Sequence, residues 1–192
     1  MINTRISLQR MLNQSRDVLT HPQERIFYIY SARSSDSDAL TYVAIAAFLT
    51  TLFEMLIAGG GSACGLVLSL INELFAFCLF AGVIYFIGQQ RGGRGTFQDI
   101  AYTFALFYVP IQVLTWAIAW LAILTPIGNV LLPWLWLIQL AGYCAQAFYA
   151  HLAVKGVMGF QHRKDAWIAV IVGLVTILII QAMLSRAQFA SF

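Results

Sequence analysis

The side chains of this sequence that could carry chemistry are polar groups set inside long apolar runs. Glu54 and Glu73 are carboxyls in two successive runs, and Asn72 comes directly before the second of them. An ionised carboxylate in hydrocarbon is costly, so such a group faces a protein interior or water and is a candidate functional residue. Because the runs contain no Lys or Arg, we expect the carboxyls either to be protonated or to line a hydrated cleft.

Two carboxyls that meet between neighbouring helices share a proton and titrate as a pair. Such a pair is suited to proton coupling, and it is also suited to hydrogen bonding between helices, which is the interpretation we favour. Further polar groups follow in a later run: Gln139 and Gln146 lie seven residues apart on one helix face, and His151 comes after them. The predicted intramembrane polar site comprises Glu54, Asn72, Glu73, Gln139, Gln146 and His151.

Motifs for enzymatic chemistry are absent from the sequence. It contains no HExxH motif, P-loop, metal-spaced Cys/His cluster or Ser–His–Asp set. The glycine-rich stretch Gly88–Gly95 (GQQRGGRG) lacks the spacing of a nucleotide-binding loop. Cys64, Cys78 and Cys144 form no CxxC pair, so we interpret them as small apolar residues. We therefore expect a protein that is not an enzyme and that has no catalytic residue, cofactor or metal.

The composition shows what kind of element must position these polar groups. Of the 192 residues, 60% are hydrophobic and 10% are charged. An ordinary soluble domain is about 45–50% apolar and about 25% charged, so this chain has too few charges to cover a surface exposed to water. This excludes a soluble globular enzyme, a nucleic-acid-binding domain and a disordered chain, and it places the chain in a membrane.

Five apolar runs are long enough to cross a bilayer as helices, since about 20 mostly apolar residues span a hydrocarbon core of about 30 Å. They lack the strict alternation that is typical of barrel strands. The runs are Ala39–Ala58, Gly65–Ile87, Ile100–Leu124, Val130–Val154 and Ala166–Leu184. The predicted fold is all-α, with a five-helix transmembrane bundle (39–184), an N-terminal cytoplasmic amphipathic segment (1–38) and a short external tail (185–192).

The basic residues are distributed unevenly between the two sides that these spans define. Ten of the eleven Lys and Arg residues lie on one side, and only Arg186 lies on the other. Positive charge is retained in the cytoplasm, so we expect a cytoplasmic N-terminus and an external C-terminus. In the two basic loops on the cytoplasmic side we expect contacts with lipid phosphates. The candidate residues are Arg91, Arg94, Arg163 and Lys164.

Residues 1–38 are too charged to span a membrane, but they carry an amphipathic pattern. Arginines border a single apolar arc of the helical wheel. The arc contains Leu8, Met11, Leu12, Val18 and Leu19. It indicates a helix that lies in the cytoplasmic headgroup layer, that docks on the ends of the spans, or that receives a protein partner, and the sequence leaves these three alternatives open.

Two stretches carry a resemblance to a known family. Gly92–Pro110 (GGRGTFQDIAYTFALFYVP) resembles the glycine-rich segment that runs into the third span of the Yip (Ypt/Rab-interacting protein) domain family. His151–Ala166 (HLAVKGVMGFQHRKDA) is similar to the loop before the last span of that family. Eukaryotic members bind small GTPases and carry an Asp-Leu-Tyr-Gly-Pro signature, which this sequence does not have. The resemblance therefore implies a short bacterial member, located in the inner membrane.

Composition, topology and resemblance together indicate a membrane-organising or partner-binding protein that acts in membrane transport or trafficking. Its expected partners are membrane lipids and other membrane proteins. We do not expect it to bind nucleic acid. One alternative is a small proton-coupled permease that uses Glu54 and Glu73. Another is an accessory subunit of a larger membrane complex, because a small chain with thin loops can bury one face there.

Overall fold

The computed structural model describes residues 4–32, 36–57, 63–125, 134–160 and 162–189, and these residues form seven helices and no strand. The helices are α1 (Thr4–Thr20), α2 (Glu24–Ser31), α3 (Asp36–Ile57), α4 (Ala63–Gln90), α5 (Phe97–Leu124), α6 (Leu135–Met158) and α7 (Arg163–Phe189). The expected all-helical fold is confirmed for this part of the chain. The last helix continues past Leu184, where the apolar run that predicts it ends.

Two of the described helices, α4 and α5, are long and apolar enough to cross a membrane by length and composition. The qualifying stretches are Cys64–Gln90 and Phe97–Leu121, whereas the apolar stretch Asp38–Phe53 of α3 is shorter. Only 22% and 33% of the most apolar windows of α4 and α5 are buried inside the bundle. The core helix of a soluble protein would be mostly buried, so these outer faces suit lipid. The remaining three spans stay a prediction.

Helix α5 forms the centre of the bundle. It begins at a capping box: the Thr96 hydroxyl accepts from the Asp99 backbone N–H at 3.2 Å, and the Asp99 carboxylate accepts from the Thr96 N–H at 3.0 Å. These bonds satisfy backbone donors that the first turn of a helix leaves free. Every residue from Ile100 to Phe107 is buried. Since this first half of α5 is enclosed on all sides, the elements around it share a common core, whereas Leu114 and Leu121 in its second half are exposed.

Helices α1 and α2 pack against this core. Pro22 lies between them, and Met11, Val18 and Phe27 point into the bundle with 1%, 0% and 0% of their surface exposed. Leu12, which the sequence placed on the same arc, is 57% exposed and lies on the outer side of α1. Docking on the bundle is therefore the arrangement that the described residues of this segment adopt.

Polar residues complete the buried face of α1. Gln14 accepts a 2.6 Å hydrogen bond from the hydroxyl of Tyr102, and the hydroxyls of Ser15 and Tyr42 lie 3.1 Å apart. Both pairs are buried, and a buried polar group is stable only when it has such a partner. The inward face of α1 is thus wider than its apolar residues indicate.

Three connections meet at one end of the bundle. Arg91 after α4 binds Asp165 of α7 at 2.9 Å, and the backbone N–H of Arg94 donates to the carbonyl of Met158 at 3.2 Å. Lys155 of α6 binds Glu24 of α2 at 2.6 Å. The two basic loops and the N-terminal helices therefore share this end, which we call the basic end.

A glycine permits the close contact between α2 and α6. A Cβ atom added at Gly156 would lie 2.5 Å from the carbonyl oxygen of Glu24, which is closer than real Cβ atoms approach an oxygen. Only glycine gives a backbone this separation without displacing its neighbour. The position of α2 on the bundle thus depends on glycine at position 156 of α6.

Candidate functional site

The polar site inside the bundle is built around Glu73 of α4. Its Oε1 atom accepts a hydrogen bond from the hydroxyl of Tyr108 at 3.0 Å and another from the amide nitrogen of Gln112 at 3.3 Å. Tyr108 and Gln112 are four residues apart on α5, so they lie one above the other on the same helix face. The Glu73 carboxyl on α4 thus accepts hydrogen bonds from two side chains of α5.

A third helix extends this network. The amide nitrogen of Gln146 on α6 donates to the side-chain oxygen of Gln112 at 3.4 Å. The amide of Gln112 thus accepts from Gln146 and donates to Glu73, so the donors run in one direction from α6 to the carboxyl. In a low-dielectric interior such a chain of hydrogen bonds is strengthened by polarisation. The hydrogen bonds thus connect α4, α5 and α6, in addition to the apolar core that these helices share.

A small cavity of about 100 Å³ lies beside the network. Its polar wall consists of the four network residues and Tyr143, and its apolar wall includes Phe80 of α4 with Leu174 and Leu178 of α7. A cavity of this size and polarity has room for a few water molecules. It is far smaller than the roughly 300–1,000 Å³ that is typical of a pocket for a drug-sized ligand.

The structure brings together two of the residues predicted for this site, Glu73 and Gln146. Asn72 is half-buried beside Glu73, and Gln139 lies two turns before Gln146 on α6; neither belongs to the hydrogen-bonded chain in the described residues. The side chain of Glu54 lies outside the described part of the structure. The expected pairing of Glu54 with Glu73 therefore stays a prediction.

Tyr108 and Gln112 are network residues that the predicted site does not include. Their spacing of four residues on an otherwise apolar run is a signal that a search for polar pairs at helical spacing would find. Gln112 supplies both a donor and an acceptor, which is why it can connect a carboxyl with a second amide.

His151 lies nearer the basic end, apart from the network. Its ring stacks on that of Trp167, with the ring centroids 4.3 Å apart and an angle of 15° between the planes. The side chain is buried, and among the described residues its Nδ1 atom has no hydrogen-bond partner. Among the predicted residues whose side chains are described, His151 thus lies at a different level of the bundle from Glu73 and Gln146.

A second polar feature is a groove of about 600 Å³ at the basic end, which we call the basic groove. Arg91 and Arg94 line it together with His162 and Asp165. Arg163 and Lys164 lie beside it in the first turn of α7, with exposed side chains. Of the four residues predicted to contact lipid phosphates, Arg91 and Arg94 thus line the groove, and the other two lie in sequence between its lining residues His162 and Asp165.

Comparison with known proteins agrees with the motifs of the sequence. A family model described as Yip1 domain matches residues 16–184, which include the end of α1, all of α2 to α6 and most of α7. No curated protein and no solved structure matches the chain significantly. The match confirms the predicted family resemblance over most of the chain.

Proposed function

Because the chain belongs to the Yip1 domain family, we propose that it is a multi-pass membrane protein that organises the membrane or binds partner proteins there, in membrane transport or trafficking. It crosses the bilayer five times, with the N-terminus in the cytoplasm and the C-terminus outside. Its location is the inner membrane of a bacterium.

The outward surfaces of the other long helices support five spans. Large apolar side chains are exposed on α3, α6 and α7 as well as on α4 and α5. Examples are Phe48 and Leu49 on α3, Leu140 and Phe148 on α6, and Ile171 and Val175 on α7. In water these side chains would be unfavourable, whereas lipid tails match them.

The basic end supports the orientation. Basic residues of both basic loops lie at this end, where Lys155 also binds Glu24 of α2. The positive-inside rule favours a cytoplasmic location for such an end. Of the eleven basic residues in the sequence, only Arg186 is predicted to lie at the opposite end.

The observation that carries the partner-binding role is the way in which α1 and α2 are fixed to the bundle while large apolar side chains stay exposed on their otherwise polar outer side. Their inner side is held by the hydrogen bonds of Gln14 and Ser15 and by the ion pair of Glu24. On the outer side Leu12 is 57% exposed and Ile29 is 44% exposed. A rigid surface with exposed apolar residues is typical of a site for another protein.

Photo-cross-linking in native membranes tests this role. A photoreactive residue at position Leu12 or Ile29 should give discrete adducts with protein, because these side chains face outward at the basic end. The matched control is position Leu68, which is 60% exposed on α4 and should give lipid adducts. Lipid adducts alone at positions 12 and 29 would show that this face lies on the membrane, and would overturn the partner-binding role.

The carrier alternative rests on Glu73 and its network, and the accessory-subunit alternative rests on the small size of the chain. The cavity of about 100 Å³ beside Glu73 supports a structural network more than a pathway for a substrate. Proton flux into liposomes that contain the full chain separates the carrier from the proposed membrane-organising or partner-binding role. That role predicts no flux above that of empty liposomes. A pH-driven flux that Glu73→Gln abolishes would instead establish the carrier, and protein adducts at position 68 would favour the accessory subunit.

A further inference from the structure

The loop between α4 and α5, which carries Arg91 and Arg94 of the basic groove, is held in place by hydrogen bonds. The backbone N–H of Gly93 donates to the carbonyl of Gly88 at 2.9 Å, and that of Arg94 donates to the carbonyl of Met158 at 3.2 Å. The side-chain amide of Gln89 closes the same loop by donating to the carbonyl of Gly95 at 2.7 Å. The loop between α4 and α5 is thus fixed onto the end of α6 before any ligand arrives, which lowers the entropic cost of binding.

The charges around the groove are unequal. Asp165 is the one acidic residue of its lining, and Arg91 already binds it at 2.9 Å. Within the described residues no carboxylate pairs with Arg94, whose exposed side chain lines the groove together with His162. Arg163 and Lys164 add two exposed cations at its edge. After the one ion pair is counted, the groove has an excess of positive charge directed at its opening.

Exposed aromatic residues lie about one helical turn from the basic residues of α4 and α7, toward the middle of the bundle. Phe86 of α4 is 62% exposed and lies five residues before Arg91, which follows the end of that helix. Trp167 of α7 is 38% exposed and lies four residues after Arg163. A helix rises 1.5 Å per residue, so these rings lie about 6–8 Å below the cations. Aromatic residues at this depth are typical of the interface between lipid tails and headgroups.

From this arrangement we propose that the basic groove is a binding site for an anionic phospholipid, with Arg94 and His162 bound to the headgroup phosphate. The acyl chains extend along Phe86 and Trp167. Arg91 does not bind the phosphate in this proposal, since it forms an ion pair with Asp165. That ion pair holds the loop after α4 against α7. The inference rests on the proposed membrane insertion, but it does not depend on the partner-binding role.

The neighbouring apolar rings distinguish a lipid from a soluble phosphate compound. A soluble anion would use the cations alone, whereas a lipid also covers the exposed rings of Phe86 and Trp167. A phosphate that is anchored in the membrane is also already concentrated at this depth. These two points favour a lipid over a soluble anion as the occupant of the groove.

Native mass spectrometry of the full chain, purified in a mild detergent, tests the site. The probes are dioleoyl phosphatidylglycerol and dioleoyl phosphatidylcholine, which share their acyl chains and differ in net charge. We expect the wild type to retain phosphatidylglycerol preferentially. Removing one cation near an anionic phosphate weakens its attraction by about five-fold, so Arg94→Gln should lower the preference by about that factor. Arg94→Gln combined with His162→Gln should lower it further.

The matched control is Arg16→Gln, which removes the same charge from an exposed residue of α1 that does not line the groove. An equal loss of preference in Arg16→Gln and Arg94→Gln would show diffuse attraction to the surface and would overturn the site. Displacement of phosphatidylglycerol by millimolar inorganic phosphate would overturn the lipid as occupant. If Arg94→Gln lowers the melting temperature, His162→Gln alone decides the question, because its side chain is exposed.

Discussion

The hydroxyl of Tyr102 donates a 2.6 Å hydrogen bond to the side-chain oxygen of Gln14, joining the buried faces of α5 and α1 across 88 positions of sequence. Gln14 is 6% exposed and Tyr102 is completely buried. An N-terminal helix that only rested on a membrane surface would not bury a polar pair of this kind. The bond therefore makes α1 a part of the fold.

The first prediction concerns this bond. Tyr102→Phe keeps the ring but leaves the Gln14 oxygen without its donor, which costs about 1–3 kcal/mol for a buried acceptor. We expect a lower melting temperature in detergent and faster proteolysis within residues 4–20. Tyr28→Phe is the control, because Tyr28 is 65% exposed and its hydroxyl is not needed for packing. Equal stability of the two variants would mean that the bond does not hold α1 in place.

The second prediction concerns the carboxyl of the polar network. Glu73→Gln retains an oxygen that accepts from Tyr108 and Gln112, so we expect little change in stability. Glu73→Leu leaves both donors unmatched and should lower the free energy of unfolding by about 1–3 kcal/mol. Thermal unfolding in detergent measures both variants. If Glu73→Leu were as stable as the wild type, the network would not contribute to the packing of α4 on α5.

The third prediction concerns the contact between α2 and α6. Gly156→Ala introduces a Cβ atom 2.5 Å from the Glu24 carbonyl oxygen, so α2 must move, at a cost of about 1–3 kcal/mol. Amide hydrogen exchange of residues 24–31 should accelerate. Gly82→Ala is the control, since nothing lies within 4 Å of its added Cβ atom. Alanine favours a helix by about 1 kcal/mol over glycine, so this second variant should be as stable as the wild type or slightly more stable.

The fourth prediction concerns orientation. In a chain without its three native cysteines, Arg94→Cys and Arg163→Cys should be labelled only by reagents that reach the cytoplasm. Ser62→Cys should be labelled from outside, because the proposed topology assigns its uncharged connection to the external side. External labelling at both basic loops would reverse the proposed topology.

The sequence predicts the helical class and the family because both depend on composition and on the order of motifs. It does not predict which side chains meet. Helices α4 and α5 are apolar nearly all around, and such helices carry no amphipathic pattern from which their rotation could be read. That rotation places Tyr108 and Gln112 against Glu73.

The N-terminal segment illustrates the same limit in another way. Its apolar arc correctly indicates Met11 and Val18 as inward residues, but it also includes Leu12, which is exposed. The arc omits Gln14 and Ser15, because their burial depends on the hydroxyls of Tyr102 and Tyr42. A pattern of apolar residues cannot report polar partners that lie far away in the sequence.

The N-terminal helices are held by residues that the ribosome adds much later. Tyr149 donates to the carbonyl of Leu19 at 3.0 Å, and Lys155 binds Glu24 at 2.6 Å, across separations of 130 and 131 positions. When α1 and α2 leave the ribosome, neither partner has been made. These two contacts therefore cannot form until α6 has been synthesised. Until then, α1 and α2 lack part of the surface on which they dock.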